Sequence, residues 1–412
     1  MKYKIKTYGC KLNQAETGNL EKILSSNFKR SSLEDADIVV INSCGVIKKT
    51  ERKILKEIHK FKKAEKEVIV TGCLPTISKE VKDLADLTIE GNDPKKFQRK
   101  LSELHELDNI SNFEVPTKKR KDSASIILPI ARGCLGNCSY CSAKIARGNL
   151  ESFPVEEVVM RAKKALNQGI REIQLTSQDL GVYGMETGKP KLIELINQLI
   201  AIEDNFKIKL GMMNPGFIDD FFDDFLKLFK SDKLYNFLHL PVQSGDKDVL
   251  RRMNRKHTAE NFIKLVDLIR NRYNNFLIST DIIVGFPGET EEDFSRTIDL
   301  IKETRPHIVN ITRYSERPGT KAAEFKDMPS KIKKERSRKL TKLAKKIRIE
   351  DNQKMMGEKF NALIVRKGKN DTKLARIFNG KAVVLNKGKI GKTVDIQVTD
   401  YKHNYLVGKV IS

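Results

Sequence analysis

The sequence predicts a multidomain α/β protein. It comprises an N-terminal doubly wound α/β domain, a central partial (βα)6 TIM-like barrel and a small antiparallel β-barrel at the C-terminal end. Three observations predict it. Strand-like and helix-like stretches alternate over residues 1 to about 108 and again from 124 to about 325, whereas 352–412 holds short alternating strands between Gly, Lys and Asn turns. A chain of 412 residues exceeds one ordinary core. A polar, basic stretch at 109–123 separates the first two regimes as a linker. Domain limits at 1–108, 120–350 and 352–412 follow.

In the first region Lys2–Tyr8, Asp37–Ser43 and Glu67–Thr71 read as strands, each followed by a helical stretch. Cys10, Cys44 and Cys73 each stand just past one of these strands, in Tyr8-Gly-Cys10, Asn42-Ser-Cys44-Gly45 and Thr71-Gly-Cys73. In a doubly wound sheet the carboxyl ends of parallel strands face one crevice, so three thiols distant in sequence are expected to meet. One such Cys reads as a small buried residue. Three at equivalent places read as a metal site.

The central region opens on a strand at 125–131 that leads into Cys134-Leu-Gly-Asn-Cys138-Ser-Tyr-Cys141. Three cysteines at C-x3-C-x2-C can hold three irons of a [4Fe–4S] cube and leave the fourth iron open to a chelating molecule; S-adenosylmethionine (SAM) is the partner for that geometry. A zinc knuckle is the alternative, but it needs a fourth Cys or His, and none lies within a dozen residues on either side. By the same logic Cys10, Cys44 and Cys73 suggest a second open cube. Further strands are expected at 172–178, 207–213, 236–242, 277–284 and 307–314. Their ends carry Thr176-Ser-Gln-Asp179, Met212-Met-Asn-Pro215, Pro241-Val-Gln-Ser-Gly245 and Gly285-Phe-Pro-Gly-Glu289. Such motifs are ordinary turn chemistry taken singly. Their shared place at the carboxyl face of a barrel is where such folds carry a site.

Lys331 to Glu350 reads as a strongly basic helix with Leu340, Leu343 and Ile347 on one stripe; its cations face either solvent or nucleic acid. In the last region Ala362–Arg366, Ala382–Leu385 and Thr393–Thr399 are expected strands of a small barrel, a fold that binds nucleic acid or serves packing. The net charge of +24 and pI near 9.6 suit a polyanionic partner. The alternating opening Met1-Lys-Tyr-Lys-Ile-Lys6 reads as a strand and not as a secretory signal, and no apolar run has membrane-spanning length. The expectation is a cytoplasmic protein without disulfides and without a membrane partner.

Taken together, the chain resembles the methylthiotransferase family of radical SAM enzymes along essentially its whole length. Tyr8-Gly-Cys10-Lys-Leu-Asn13, Asn42-Ser-Cys44 and Thr71-Gly-Cys73-Leu-Pro75 look like the family's auxiliary-cluster domain. The central region looks like its radical SAM core and the end like its RNA-binding TRAM domain. Ser177-Gln-Asp-Leu-Gly-Val-Tyr-Gly184, Gly211-Met-Met-Asn-Pro215, His239-Leu-Pro-Val-Gln-Ser-Gly245, Thr280-Asp-Ile-Ile-Val-Gly-Phe-Pro-Gly-Glu-Thr290 and Arg317-Pro-Gly-Thr320 look closest to its archaeal and eukaryotic branch. Leu180 and Val182 stand where other members often carry smaller residues.

The resemblance implies methylthiolation of C2 of N6-threonylcarbamoyladenosine beside the anticodon of tRNA, with SAM and two [4Fe–4S] clusters as cofactors. Cys134, Cys138 and Cys141 would hold the SAM-binding cluster, and Cys10, Cys44 and Cys73 the auxiliary cluster that carries sulfur. C2 of adenine is an unactivated aromatic C–H, which radical chemistry reaches and acid–base chemistry does not. Tyr140, Gln178, Asp179, Gln243, Ser244 and Glu289 are the candidate contacts to SAM or substrate, with core and supporting roles as the alternative. No catalytic residue beyond the cluster ligands is assigned. The implied partners are the anticodon arm of tRNA and an electron donor such as a ferredoxin or flavodoxin; the sulfur donor is unassigned. The same chemistry on isopentenyladenosine tRNA, or on an aspartate of a ribosomal protein, is the first alternative. A non-catalytic iron–sulfur RNA-binding sensor is an alternative of another class.

Overall fold

The structure, a computed structural model, describes residues 1–107 and 122–411. Residues 109–121 of the expected linker lie outside the described residues. The chain divides into two compact units. The first draws on Met1–Lys118, Arg132–Leu150 and Ser315–Glu324, the second on Lys119–Ala131, Glu151–Tyr314 and Phe325–Ser412.

The first unit is built on β1 (Lys2–Thr7), α1 (Lys11–Asn27), β2 (Lys29–Arg30), β3 (Ile38–Ser43), α2 (Lys48–Lys63), β4 (Glu67–Gly72), α3 (Leu74–Ile77), α4 (Lys79–Leu84), β5 (Leu87–Glu90) and α5 (Pro94–His105). The strands are all parallel in the order β2-β1-β3-β4-β5. Ile38-Val-Val-Ile41 is buried on both faces, as the middle of a parallel sheet requires. Val40 and Ile69 pack with Leu20, Leu24, Phe97 and Leu101 of α1 and α5, whereas Val39 and Val70 pack with Ile54, Ile58 and Phe61 of α2. The domain is thus doubly wound, and its strand order reverses between β1 and β3. The edge strands β2 and β5 escape the sequence reading because they are short, with no long apolar run. The cysteine loop and its helix α6 (Ser142–Arg147) also belong to this unit, where Ser142 Oγ donates to the Gly45 carbonyl at 3.2 Å.

In the second unit β6 (Ser125–Pro129) begins the barrel, and two short strands, β7 (Ala131–Arg132) and β8 (Glu151–Ser152), bracket the cysteine segment in sequence. The series continues with α7 (Val155–Asn167), β9 (Glu172–Thr176), α8 (Leu192–Ile200), β10 (Lys207–Lys209), α9 (Phe222–Lys227), β11 (Phe237–His239), α10 (Lys247–Arg252), α11 (Ala259–Arg272), β12 (Leu277–Val284), α12 (Glu291–Thr304) and β13 (Ile308–Arg313). Two parallel sheets, β6-β9-β10 and β11-β12-β13, are joined by the single bridges Ile208↔Leu234 and Met212↔His239. The result is an arc of six parallel strands in sequence order, a partial TIM-like barrel. Helix α13 (Ser330–Gln353) follows and packs on β13.

The chain ends in a closed barrel of β14 (Lys359–Lys367), β15 (Lys373–Arg376), β16 (Ala382–Leu385), β17 (Thr393–Tyr401) and β18 (Leu406–Val410). Neighbours are antiparallel except β16 and β18, because a ring of five strands cannot alternate direction at every junction. This small barrel is anchored to the larger one by a buried ion pair, Arg376 Nε to Glu172 Oε2 at 2.8 Å, with Glu172 fully buried. Burial pushes the Glu172 carboxyl up, but Arg376 with the Ser125 and Gln174 donors outweighs it and holds the group below its ordinary pKa.

Candidate functional site

Cys10, Cys44 and Cys73 follow β1, β3 and β4, the three adjacent strands that flank the switch point. Parallel pairing Asn42↔Thr71 and Ser43↔Gly72 places the two ends level, and the Cys73 N–H donates to Ser43 O at 3.1 Å. Two glycines let the backbone close in. A Cβ on Gly9, at φ +115°, would stand 2.9 Å from Cys44 Cβ; one on Gly72, at φ +100°, would stand 2.3 Å from Ser43 O. None of the six cysteines is in a disulfide. Burial raises the pKa of Cys44, and the neighbouring Cys73 and Cys10 add to it, so the three thiols act on one another.

Beneath them lies a buried polar network. Asn13 Nδ2 donates to Asn42 Oδ1 at 3.1 Å and Ser43 O at 2.8 Å; Asn92 donates to Asn42 Oδ1 at 3.1 Å and to Glu16. Arg147, the last residue of α6, reaches into this network with a side chain only 5% exposed. Its Nε lies 3.2 Å from Cys73 Sγ, its Nη2 donates to Asn13 Oδ1 at 3.1 Å and Glu16 Oε2 at 2.9 Å, and its Nη1 pairs with Glu16 Oε1. Burial works against the guanidinium's charge, but Glu16 and Cys73 outweigh it and hold its pKa above the ordinary value. Arg317 is likewise buried, with Nη1 on Glu51 Oε2 at 2.6 Å and a charge that acts on Cys44. Sequence reasoning missed Glu16, Arg147 and Arg317 as site residues. Their partners are many positions away, and the motif Arg317-Pro-Gly-Thr320 does not reveal that its arginine is buried.

In the second cysteine set, the Gly136 N–H donates to Cys134 Sγ at 3.3 Å, Cys141 N donates to Cys138 O at 3.1 Å, and Cys141 caps α6. Lys144 from α6 reaches back to the Cys134 carbonyl. Gly133, at φ +63°, runs so close to Asn149 that a Cβ there would stand 1.7 Å from its carbonyl oxygen. Tyr140 is half-buried within this loop. Among the described residues no three His, Cys, Asp or Glu side chains converge on a single ion. A four-iron cube takes each thiolate on a different iron. N–H groups aimed at Cys73 and Cys134 sulfur, and six cysteines outside any disulfide, fit that group.

The candidates on the barrel strands fall into two groups. Gln178 Oε1 and the adjacent Ser177 Oγ, just past β9, are buried with no hydrogen-bond partner among the described residues, as expected of groups awaiting a ligand. Gln243 sits at φ +73°, a left-handed backbone rare outside glycine, and is bridged to β12 through Asp281 O and Ile283 N. The other three carry bonds that hold loops. Asp179 Oδ1 accepts from Gly181 N at 2.9 Å and Asn214 N at 3.1 Å, and burial lifts its pKa to about 6. Ser244, fully buried, meets Thr297 and accepts from Asp246 N at 3.2 Å. Glu289 accepts from Gly285 N at 2.7 Å and pairs with Arg336 at 2.6 Å. Sequence reasoning also passed over a polar group on adjacent strands: His239 Nε2 and Asn310 Nδ2 both lie 2.8 Å from Asp281 Oδ1. Asp281, the one charged residue in the strand Leu277-Ile-Ser-Thr-Asp-Ile-Ile-Val284, is the signal that was there to find it.

Three family descriptions match this chain: the Radical SAM superfamily over residues 128–301, Uncharacterized protein family UPF0004 over 2–89 and the TRAM domain over 353–411. Among solved structures, the radical SAM methyltransferase TsrM from Kitasatospora setae aligns with a TM-score of 0.57 at 15% identity, covering 78% of this chain and 75% of its own. The cobalamin-dependent SAM radical enzyme OxsB aligns at 0.53 and 15%, covering 85% and 56%. These likenesses establish the fold. A radical SAM enzyme with an added N-terminal domain and a C-terminal TRAM barrel is the class so defined. A protein of Archaeoglobus fulgidus named "Probable threonylcarbamoyladenosine tRNA methylthiotransferase" is 45% identical over 100% of this chain and 99% of its own length. The human "Threonylcarbamoyladenosine tRNA methylthiotransferase" is 30% identical over 99% of this chain and 74% of its own. The chain belongs to the threonylcarbamoyladenosine tRNA methylthiotransferase family, and like other radical SAM enzymes uses SAM and iron–sulfur chemistry.

Proposed function

We propose that this protein methylthiolates C2 of N6-threonylcarbamoyladenosine next to the anticodon of tRNA, giving 2-methylthio-N6-threonylcarbamoyladenosine. The observation that carries the reading is the end-to-end identity of 45% with a relative of that name. Two sets of three cysteines outside any disulfide support it, one after adjacent strand ends and one in the C-x3-C-x2-C loop. Cys134, Cys138 and Cys141 hold the SAM cluster, and Cys10, Cys44 and Cys73 the auxiliary one. When bound, these clusters supply the electron that opens SAM and the sulfur that is transferred.

The protein's own residues bind and orient. Gln178 is the favoured polar contact to SAM or substrate, because its buried carbonyl oxygen has no other partner among the described residues. Tyr140 and Gln243 contribute contacts; Asp179, Ser244 and Glu289 act by fixing the loops that carry them. The domain division is 1–108 for the auxiliary cluster, 120–350 for the radical core and 352–412 for RNA. A ferredoxin or flavodoxin supplies electrons, and the site of action is the cytoplasm, where tRNA is modified. No helix among the described residues is long and apolar enough to cross a membrane.

Mass spectrometry of tRNA nucleosides, from cells with and without the protein and from purified turnover, tests this reading. Conversion of threonylcarbamoyladenosine is expected, with little conversion of isopentenyladenosine. Equal turnover of the isopentenyl substrate, or methylthiolation of a ribosomal protein in its place, contradicts the assignment.

The RNA role of the small barrel calls for point substitutions. Truncation before Asn352 removes Arg376 and leaves Glu172 a buried carboxylate without its arginine in the larger barrel. Lys387 and Lys389 are exposed in the turn between β16 and β17. Changing both to Glu is expected to weaken tRNA binding and to flatten the slope of log affinity against log salt by about one per lysine, while SAM cleavage persists. An unchanged slope would move RNA binding to other surfaces.

A further inference from the structure

We propose that Arg147 and Arg317 are positioning residues that raise the reduction potential of the cluster held by Cys10, Cys44 and Cys73, by directing buried guanidinium N–H groups at its sulfur. The inference rests on the reading of those cysteines as ligands given above.

The two arginines share an unusual arrangement. Both side chains are almost out of solvent, at 5% and 3% exposed. Burying a guanidinium is costly unless its donors are used and its charge is paired. Each has one carboxylate: Glu16 for Arg147 and Glu51 for Arg317. In each case the carboxylate takes only part of the fork. For Arg147 the Nη pair faces Glu16 and Asn13, which leaves Nε for Cys73 Sγ at 3.2 Å. For Arg317 only Nη1 is used; Nε and Nη2 are buried without an acceptor among the described residues, and its charge acts on Cys44. Orphaned charged donors in a native interior call for an explanation. An acceptor that arrives with the cluster, a coordinated thiolate or an inorganic sulfide, supplies one.

The effect on redox follows from charge. One-electron reduction adds a negative charge to the cluster, and N–H donors to its sulfur stabilise the reduced form more than the oxidised form. The carboxylates cancel much of the net charge but stand on the other edge of each fork, so the donor direction survives. A planar fork suits this task and an ammonium does not.

The test uses the full chain with Cys134, Cys138 and Cys141 all changed to Ala, so that only the auxiliary set can hold a cluster. The protein is reconstituted anaerobically and reduced with dithionite, and the reduced cluster is followed by EPR as the ambient potential is varied. Glu16→Gln with Arg147→Gln removes both charges together and leaves no lone buried carboxylate; Arg317→Lys keeps its charge and loses the fork. Each is expected to shift the oxidised-to-reduced ratio at fixed potential about tenfold toward the oxidised form, equal to about 59 mV for one electron. A loaded cluster with an unchanged potential in both variants overturns the proposal, whatever happens to activity. Absence of any cluster in the parent overturns the ligand reading itself, which separates the two failures. If a variant fails to load iron, pulsed ENDOR on the reduced parent in D2O decides. Strongly coupled exchangeable protons at the cluster support the proposal, and their absence overturns it.

Discussion

Cys138→Ala is expected to abolish both 5′-deoxyadenosine formation and methylthiolation, whereas Cys44→Ala is expected to keep the first and lose the second. Each substitution removes one of three thiolates from one set, so iron should fall from about eight to about four per chain in either variant. Without the SAM cluster nothing opens SAM, and every later event is lost. Without the auxiliary set SAM can still be opened, but no sulfur is held for transfer. The sequence places the two sets in different domains, which would make the experiment clean. The structure places both in one compact unit, with Ser142 bonded to the Gly45 carbonyl and Arg147 to Cys73. Iron content and SAM binding must therefore be measured beside activity. A Cys44 variant that retains one cube and still methylthiolates tRNA would show that Cys10, Cys44 and Cys73 are structural.

The second large effect is on stability. Arg336→Ala is expected to destabilise the loop after β12 and its packing on α13 by about 3–5 kcal/mol, the usual result of leaving one charge of a buried pair behind. Glu289 is only 1% exposed in its side chain, and Arg336 holds its carboxylate at 2.6 Å and its backbone carbonyl at 3.0 Å. Burial already raises the Glu289 pKa despite Gly285 N–H and Arg336, and removing the guanidinium would raise it further. The sign is that of a raised carboxyl. The folded state binds the proton more tightly than the unfolded chain, so the loss should be greatest near neutral pH and shrink toward about pH 4, where protonation removes the buried charge. Replacing both residues, as Glu289→Gln with Arg336→Met, should cost far less. Hydrogen exchange at residues 285–289 and 330–340 reads the local free energy. Protection in Arg336→Ala equal to the parent at pH 7 would sink this account.

Much of the fold was legible because parallel strands buried on both faces read as apolar runs. Ile38-Val-Val-Ile41 and Val68-Ile-Val70 announce themselves, and the residues just past such strands are placed by topology alone. That is why Cys10, Cys44 and Cys73 could be brought together from sequence. The two-residue edge strand Lys29–Arg30 and the bridges that join the two halves of the larger barrel carry no run and were not foreseen. The small barrel was visible as alternation, but its parallel closure of β16 on β18 follows from the ring having five members.

Charge was the harder matter. The stretch from Lys331 to Glu350 reads as a basic helix with one apolar stripe, and its cations look alike in sequence. In the structure Lys333 and Arg336 extend the buried stripe of Leu340 and Ile347, Lys333 binding Asp327 at 2.6 Å and Arg336 binding Glu289. Arg147 and Arg317 are likewise buried, Arg147 with its Nε on Cys73 Sγ and Arg317 with a charge that acts on Cys44. The sequence by itself determined which residue types could bind iron and sulfur, their spacing, and the strands that deliver them, because periodicity and covalent spacing are local properties. Only the tertiary structure decided which charges lie in water and which are buried against a partner. A buried charge is defined by a carboxylate or thiol that can stand a hundred residues away, and no local pattern records it.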